Sequence, residues 1–250
     1  MKTRDGIYMN NHNLCNHKAI KADFNIWKPT HCQLYLNERL RYGSLVNLVL
    51  SKKIRKLIDI GCGTGYMSYL LSRKGLKITA VDISKTSLLA FKKIAKANNI
   101  NQVHSDLFDL QCAGFDAVLS QEVLEHIENY EQALVKMASF IKPNGYAFYC
   151  VPYKENLTVK MVECPICGQK YNRNGHLHSF SKELFCDCIE KAGFKIIKIR
   201  LIVNKRITKW FKASKLMINY AFPLLEFLDR IMNFIAPHKA AYIAVLCIKN

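Results

Sequence analysis

The chain has 250 residues, of which half are hydrophobic and 22% are charged. This length fits one α/β domain with additions, and the apolar content supplies a buried core, which excludes an intrinsically disordered chain. The polar start at Met1 is unlike a cleavable signal peptide, and no run of 18 or more apolar residues lacks charge, so no membrane-spanning helix is predicted. Ten cysteines spread over this length favour a reduced, cytoplasmic protein over a small disulfide-bonded one.

Charge is unevenly distributed along the chain, whose net charge is +18 at pH 7. Residues 1–55 contribute +7, residues 56–155 contribute +1, and residues 156–250 contribute +10. Basic flanks around a balanced centre favour an anionic partner near the flanks, such as a phosphorylated substrate, lipid headgroups or nucleic acid. Charge alone does not choose among these three.

Apolar periodicity and turn residues predict helices and strands that alternate along most of the chain. Helices are expected at 31–54, 64–73, 84–98, 129–141, 181–191 and 205–236. Strands are expected at 56–60, 76–81, 101–104, 115–120, 146–151, 194–203 and 240–248. The Lys-Pro-Asn-Gly sequence at 142–145 is a strong breaker that is predicted to end the helix at 129–141, and residues 152–181 are predicted to be irregular. The alternation indicates a mostly parallel sheet with helices on both faces.

A glycine-rich loop follows the first predicted strand. Gly61, Gly63 and Gly65 stand at every second position, and glycine lets bare backbone approach a ligand at the carboxyl end of a parallel strand. A dinucleotide fingerprint would require glycine where this chain has Tyr66. A pyrophosphate cofactor is therefore disfavoured.

Polar residues also stand at the ends of the next three predicted strands. Asp82 ends the second strand, where a carboxylate can accept hydrogen bonds from both hydroxyls of a ribose. Asp106 and Leu107 follow the third strand and can contact an adenine edge. Gln121 and Glu122 follow the fourth. Together with the glycine loop, these residues predict a nucleoside-binding site at one edge of the sheet.

This ordered set resembles the class I S-adenosylmethionine-dependent methyltransferases. The resemblance covers residues 55–153 and, more loosely, residues 180–194. The matching motifs lie at 57–66, 79–83, 106–107, 115–127 and 142–145. The resemblance implies S-adenosylmethionine as cofactor and a Rossmann-like, doubly wound α/β fold, with a seven-stranded mixed sheet whose last strand is antiparallel.

The resemblance also implies roles for residues at the cofactor site. The loop would line the methionine part of the cofactor, with Cys62 contributing its backbone, and Asp59 would support the loop. The carboxylate that ends the second strand would hold the ribose, and the residues after the third and fourth strands would contact the adenine and the methionine end. The implied cofactor-binding residues are Asp59, Gly61, Cys62, Gly63, Gly65, Asp82, Ile83, Asp106, Leu107, Gln121 and Glu122.

The chain is expected to consist of a helical N-terminal cap, residues 1–55, and a methyltransferase domain, residues 56–250. Two additions are predicted within that domain. One is a loop with cysteines and histidines at 155–180, and the other is a basic amphipathic helical insertion at 205–236, before the last strand.

The class of methyl acceptor can be narrowed because one sequence motif is absent. Methyltransferases that act on the exocyclic amines of bases carry an Asn/Asp-Pro-Pro-aromatic motif after the fourth strand, where this chain has Ser-Gln-Glu-Val at 120–123. By resemblance, a small-molecule acceptor such as a quinone precursor, lipid or sugar is expected, with oxygen as the favoured target atom. RNA methylation through the basic flanks and a catalytically silent cofactor-binding subunit are the alternatives.

One histidine is a candidate for the catalytic base. The methyl group of a sulfonium is already activated, so alignment of the nucleophile supplies most of the catalysis, but an oxygen nucleophile usually also needs a base. We expect His178 to be that base, because histidine titrates near neutral pH and relatives place substrate residues after the fifth strand. His126 is interpreted as a packing residue. A thiol or a deprotonated amine, which needs no base, is the alternative nucleophile.

The sequence Cys-Pro-Ile-Cys-Gly at 164–168 is typical of a metal-binding knuckle. Two thiolates at this spacing can bind one tetrahedral zinc ion, which requires further ligands. We predict zinc at Cys164, Cys167 and His176, which leaves His178 free for the substrate. A turn without metal, or a redox pair, is the alternative.

The insertion at 205–236 combines basic and apolar residues. Its second helix carries one narrow polar stripe, formed by Glu226, Asp229, Arg230 and Asn233. One interpretation is a lid or a homodimer face. The other is an element that lies on an anionic membrane, with Trp210 inserted beside Phe211 and lysines at the headgroups, which would make the protein peripheral to the inner membrane surface.

Overall fold

The computed structural model describes residues 32–94, 99–164, 168–211 and 222–250. The helices are α1 (Cys32–Leu50), α2 (Tyr66–Ser72), α3 (Lys85–Ile94), α4 (Tyr130–Phe140), α5 (Lys182–Lys191), α6 (Lys205–Phe211) and α7 (Phe222–Ile235). The strands are β1 (Lys56–Ile60), β2 (Lys77–Asp82), β3 (Ile100–His104), β4 (Phe115–Gln121), β5 (Ile141–Pro152), β6 (Met161–Glu163), β7 (Lys170–Asn172), β8 (Phe194–Asn204) and β9 (Ala240–Lys249).

Seven strands form one sheet in the order β3-β2-β1-β4-β5-β9-β8. The first five of these are parallel to one another, whereas β9 is antiparallel to both β5 and β8. The predicted seven-stranded mixed sheet with an antiparallel last strand is confirmed. Because the chain order reverses between β1 and β4, the carboxyl ends of these two strands flank the crevice in which open α/β sheets bind ligands.

Helices bury both faces of the sheet, which explains the continuous apolar character of its central strands. Leu57 and Ile58 of β1 are both fully buried, and they belong to cores on opposite faces. Helices α1, α2, α3, α6 and α7 pack in the core of Leu57, and α4 and α5 pack in the core of Ile58. Helix α1 places Leu40 and Leu45 in the same core as Leu57, so this part of the N-terminal segment packs directly on the sheet.

Strand β5 begins earlier than the sequence predicts. Ile141 already pairs with Phe115 of β4, and the register shifts before Tyr146 pairs with Ala117. Asn144 adopts a left-handed conformation, with φ of 58°, inside this irregular start. Helix α4 ends at Phe140, so the prediction that the helix stops before 142–145 is confirmed, and these residues form the irregular start of β5.

The segment between β5 and α5 is also more ordered than predicted. A 3-10 helix, Leu157–Lys160, leads into an antiparallel hairpin of β6 and β7. The side chain of Asn172 donates to the Leu157 carbonyl at 3.0 Å and accepts from the Asn174 amide at 2.9 Å. The prediction of a wholly irregular segment was wrong, since strands of three residues are too short to show an alternating pattern.

Helix α7 is anchored to the end of β8 by its polar stripe. The Asp229 carboxylate accepts hydrogen bonds from the backbone amides of Val203 and Asn204, at 3.0 and 2.6 Å. Asn233 donates to Asp229 at 3.0 Å and accepts from the Asn204 side chain at 3.2 Å. The part of the stripe formed by Asp229 and Asn233 therefore faces the body of the protein, whereas Arg230 is exposed. None of the helices in the described ranges is long and apolar enough to cross a membrane.

Candidate active site

The backbone of the loop between β1 and α2 is bonded to β2. The amides of Gly61 and Cys62 both donate to the Val81 carbonyl, at 2.8 and 3.0 Å. The Cys62 side chain is buried, and burial raises the pKa of its thiol. A ligand above this loop therefore meets backbone and not a reactive thiolate at Cys62.

The three loop glycines all have positive φ angles, of 69°, 55° and 75° in chain order. A Cβ atom at Gly61 would lie 2.3 Å from a methyl carbon of Val123, and one at Gly65 would lie 2.2 Å from the Phe91 ring. A Cβ atom at Gly63 would have no neighbour within 4 Å among the described residues. Gly61 and Gly65 thus serve close packing, whereas Gly63 borders open space at the carboxyl edge of the sheet.

Asp59 lies under the loop and is fully buried. Ser68 of α2 donates to its Oδ2 at 2.6 Å, and its Oδ1 has no hydrogen-bond partner within the described part of the chain. Burial raises the pKa of Asp59 to about 7; the Ser68 hydrogen bond lowers it, and the nearby charge of Asp82 raises it further. The loop is therefore supported by a buried carboxyl group whose protonation state changes near neutral pH.

Replacing Asp59 with Asn should change how stability depends on pH. Because the folded carboxyl has the higher pKa, its stabilising effect is present below about pH 4 and is lost as the pH rises through 7. We expect the unfolding free energy of D59N, relative to the native chain, to rise by up to about 4 kcal/mol between pH 4 and pH 8. Urea unfolding at several pH values measures this, and a difference that does not vary with pH would contradict it.

Asp82 lies beside the open side of the loop. Its Oδ2 accepts from the Gly63 amide at 2.6 Å and its Oδ1 accepts from the Ser84 amide at 2.8 Å. Each carboxylate oxygen can accept a second hydrogen bond, and the side chain is only half-buried. The backbone thus fixes the carboxylate while leaving it able to accept from a further donor.

Residues after β2 and β3 form the side of the crevice beyond Asp82. Ile83 is 67% exposed, whereas Leu107 is buried. Asp106 accepts from the Phe108 amide at 2.8 Å, which fixes the turn that follows β3. This places one polar and two apolar side chains near the predicted adenine position, and their contacts with a cofactor stay a prediction.

The end of β4 supplies two polar residues at the other side of the crevice. The Oε1 atom of Gln121 is buried without a hydrogen-bond partner in the described ranges. Glu122 has a left-handed conformation, with φ of 53°, and its amide donates to the Cys150 carbonyl at 2.8 Å. A non-glycine residue in this conformation is uncommon and marks Glu122 as a residue worth testing for function.

Glu122 forms an ion pair with Arg41 of α1, which sequence analysis did not identify. Arg41 is buried and also pairs with Glu38 on its own helix. Its guanidinium carbon lies 4.9 Å from the ring centres of both Tyr42 and Tyr242. Helix α1 therefore brings a buried cation between two carboxylates and two aromatic rings at the end of β4, and we call these five residues the Arg41 cluster.

His178 lies against the chain that follows β4. Its Nε2 atom is 3.1 Å from the Ile127 carbonyl and 3.2 Å from the Glu128 carbonyl, and its ring packs edge-on against Tyr130 at 4.7 Å. Because carbonyls only accept, Nε2 carries a proton, which leaves the lone pair on Nδ1 for a neutral ring. No observation tests the role of His178 as base, so that role stays a prediction.

His176 joins a different group of side chains. Its Nδ1 bonds to Glu155, and its ring meets that of His126 edge-on at 4.8 Å. His126 Nδ1 in turn lies 3.0 Å from the Gly175 carbonyl. Glu125, His126 and His176 each present one ligand atom, all within 4.8 Å of one another, so this group could hold a divalent cation.

The predicted zinc knuckle is only partly within the described ranges. Cys164 is buried, its amide donates to the Gln169 carbonyl at 2.9 Å, and its carbonyl accepts from the Gly168 amide at 2.8 Å. Cys167 lies outside the described residues. The proposed binding of zinc by Cys164, Cys167 and His176 therefore stays a prediction.

Comparison with known proteins identifies the family. A family profile described as a methyltransferase domain matches residues 34–199, which include most of α1 and the whole glycine loop. The chain belongs to the class I S-adenosylmethionine-dependent methyltransferases. The predicted family, enzyme class and methyl donor are confirmed, while the individual roles of the site residues stay predictions.

Relatives of this methyltransferase include the ubiquinone biosynthesis O-methyltransferase of Rickettsia felis, which is 34% identical over 176 residues, 66% of this chain and 71% of that protein. The crystal structure of an S-adenosylmethionine-dependent methyltransferase from Mesorhizobium loti matches with a TM-score of 0.60 at 16% identity, over 86% of this chain and 100% of that one. The magnesium protoporphyrin IX methyltransferase of Synechocystis PCC 6803, crystallised with bound SAH, has a TM-score of 0.59 at 14% identity, over 87% of this chain and 85% of that one. The two structures show similarity of fold.

Proposed function

We propose that this methyltransferase transfers the methyl group of S-adenosylmethionine to an oxygen of a small aromatic acceptor of the quinone-precursor class. The relative from Rickettsia felis, whose name combines ubiquinone biosynthesis with O-methylation, supports this acceptor class. The observation that carries methyl transfer is the open space over Gly63, with the Asp82 carboxylate fixed beside it by two backbone amides.

The loop and its neighbours fit the methyl donor. The open side of Gly63 lets a ligand approach bare backbone, and Asp82 can accept from ribose hydroxyls without losing its own backbone bonds. Asp106 and Leu107 are proposed to contact the adenine, and Gln121 is proposed to contact the methionine end. When bound, S-adenosylmethionine supplies a methyl group on a positively charged sulfur.

The Arg41 cluster is proposed to shape the acceptor end of the site. It joins α1, within the N-terminal cap at 1–55, to Glu122 at the end of β4. The ring of Tyr42 also meets that of Tyr66 edge-on at 5.0 Å, so aromatic surface continues toward the glycine loop. Aromatic walls around a buried, neutralised ion pair suit an aromatic acceptor better than a highly charged one.

His178 is proposed to be the base for the acceptor hydroxyl. As the acceptor oxygen bonds to the methyl carbon, the bond from that carbon to sulfur breaks and SAH leaves as a neutral thioether. The hydroxyl proton passes to Nδ1 of His178, while Nε2 keeps its bonds to backbone carbonyls. Those carbonyl bonds fix the ring orientation and the tautomer. A base of this kind contributes about 10²- to 10⁴-fold to the rate.

Methyl transfer to a catechol without an apolar tail, such as 3,4-dihydroxybenzoate, tests the proposed function. We expect label from the methyl group of S-adenosylmethionine to appear as an aryl methyl ether. His178→Gln should lower kcat by about 100-fold or more at pH 7, and the loss should shrink as the pH approaches about 10, where a phenol ionises without a base. The affinity for SAH should not change.

His238→Gln is the matched control, because His238 is exposed, lies in the 3-10 helix after α7 and is not among the residues proposed for the site. It should leave both the rate and its pH profile unchanged. Label that appears only on amines, thiols or RNA would contradict the proposed acceptor. A His178→Gln enzyme with the native pH profile would contradict the proposed base while leaving the acceptor assignment intact.

Two further proposals concern the additions to the domain, residues 155–180 and 205–236. The first is zinc bound by Cys164, Cys167 and His176, whose Nε2 is proposed as the ligand atom because Nδ1 bonds to Glu155. The second is that the insertion forms a contact surface, either for an anionic membrane or for a second copy of the chain. The exposed apolar side chains of α7 support such a surface.

A further inference from the structure

Helix α7 is packed with two residues of its polar stripe, Asp229 and Asn233, turned inward. Asp229 and Asn233 are buried, at 3% and 6% exposure, together with Leu225 at 0%. On an α-helix, the positions opposite Asp229 are those two residues away and those about five away, because each residue advances 100°. The side that faces solvent is therefore set by the anchoring of the Asp229 carboxylate to the amides of Val203 and Asn204.

The outward side of α7 is apolar along its whole length. Five side chains occupy it, and they fall within one 120° sector centred opposite Asp229. We call this set the α7 outer face. Its members are Leu224 (53% exposed), Phe227 (58%), Ile231 (38%), Phe234 (88%) and Ile235 (64%). A contiguous exposed apolar face of this kind marks an interaction site in a soluble domain.

The charges around the α7 outer face are basic. Exposed cations without an acidic partner on the same helix lie on α6 and just after α7, whereas Asp229 is buried and Glu226 and Arg230 neutralise each other as an ion pair. Trp210 on α6 is 78% exposed beside these cations. The cations of this basic rim are Lys205, Arg206, Lys209 and Lys239.

We propose that the α7 outer face docks on an anionic lipid bilayer. Apolar side chains with a basic rim match acyl chains below anionic headgroups, and apolar insertion and headgroup attraction add to each other. Pairing of this face with the same face of a second copy would bring the two basic rims together, and the like charges would repel. Charge complementarity therefore favours the bilayer over a homodimer.

Docking would also place the acceptor end of the site near the bilayer. The side chain of Asn47 donates to Glu226 at 3.1 Å, which joins α7 to the helix that carries Arg41. Six residues of helix separate Asn47 from Arg41, about 9 Å along the axis. This consequence, which rests on the proposed function, suits an acceptor that partitions into lipid.

Vesicle flotation of the full chain tests the docking directly. We expect binding to vesicles of phosphatidylcholine with phosphatidylglycerol, weaker binding in high salt, and weaker binding to phosphatidylcholine alone. Phe227→Ser combined with Phe234→Ser should lower partitioning at least about tenfold. The matched control is Leu89→Ser combined with Val135→Ser, which changes residues 52% and 57% exposed on α3 and α4 and should bind like the native chain.

A second pair of variants tests the basic rim. The triple change Lys205→Gln, Arg206→Gln and Lys209→Gln should weaken binding to the anionic vesicles. The control triple change Lys74→Gln, Lys92→Gln and Lys93→Gln removes the same charge from exposed positions just after α2 and on α3 and should have little effect. Equal effects of the two triples would overturn the proposal, because they would show a dependence on net charge alone.

Size-exclusion chromatography and SAH binding complete the test. The proposal would be overturned if the native chain did not bind anionic vesicles but formed a dimer that F227S/F234S abolished. The α7 outer face would then contact a second copy of the chain. SAH binding should be native in all four variants, because none of the substituted residues lies in the proposed cofactor site. Vesicle binding without methyl transfer would contradict the proposed function and leave the docking proposal intact. Methyl transfer without vesicle binding would contradict the docking proposal and leave the proposed function intact.

Discussion

Replacing Arg41 with Met is expected to lower the unfolding free energy by about 3–5 kcal/mol, the typical cost of removing one partner from a buried ion pair. The buried guanidinium lies between the carboxylates of Glu38 and Glu122, so its loss leaves two acidic groups without their cation. Burial already raises the pKa of Glu38, an effect that the charge of Arg41 partly offsets. Without Arg41, Glu38 should therefore take up a proton at a higher pH.

Two further variants make this result specific to charge. Combining Arg41→Met with Glu38→Gln and Glu122→Gln should recover much of the lost stability, because no unpaired charge then stays buried. Arg73→Met changes an exposed arginine after α2 and should alter the unfolding free energy by less than about 0.5 kcal/mol. Urea unfolding measures all three. If Arg41→Met were as stable as the native chain, or if the triple variant gave no recovery, the charge balance of the cluster would not matter.

The central sheet could be predicted from the sequence because its signals are local. Strands buried on both faces are short apolar runs, and here those runs end at polar or glycine residues such as Asp82 and Gly61. The cofactor edge was predictable for the same reason. Parallel strands put their carboxyl ends at one edge, so residues far apart in the sequence come together once the order of strands is known.

The Arg41 cluster could not be predicted in this way. It joins α1, the residue after β4 and Tyr242 of β9, and no periodicity links these three positions. Within α1, Arg41 interrupts an apolar pattern and has the sequence signature of an exposed helix residue. Only the packing of α1 near the carboxyl end of β4 and the amino end of the antiparallel β9 makes it a buried cation.

The orientation of α7 was also beyond sequence reasoning. Its pattern predicts an amphipathic helix, and the usual expectation is that the apolar side faces the core. Here the backbone turns at Val203, with a φ of 64°, and two amides at the end of β8 donate hydrogen bonds to the Asp229 carboxylate. The demand of these buried amides for an acceptor therefore turns Asp229 and Asn233 inward together with Leu225, and the rest of the apolar surface of α7 faces outward.

Replacing the loop glycines tests the active site, because alanine at Gly65 should mainly lower stability and alanine at Gly63 should mainly lower the affinity for SAH. Gly65→Ala should lower the unfolding free energy by about 2–4 kcal/mol, because its Cβ would lie 2.2 Å from the Phe91 ring in addition to the cost of a left-handed alanine. Gly63→Ala has no such neighbour and should cost only about 1 kcal/mol.

Ligand binding should show the opposite order. The methyl group of Gly63→Ala points into the open space proposed for S-adenosylmethionine. The affinity of this variant for SAH should therefore fall at least about 100-fold at a temperature where the variant is folded. Gly114→Ala is the control, because that glycine also has a positive φ and open surroundings but lies before β4, away from the loop. Urea unfolding and titration calorimetry with SAH separate the two effects. Native SAH affinity in a folded Gly63→Ala enzyme would place the cofactor elsewhere, and with it the assignment of Asp82 to the ribose would fail.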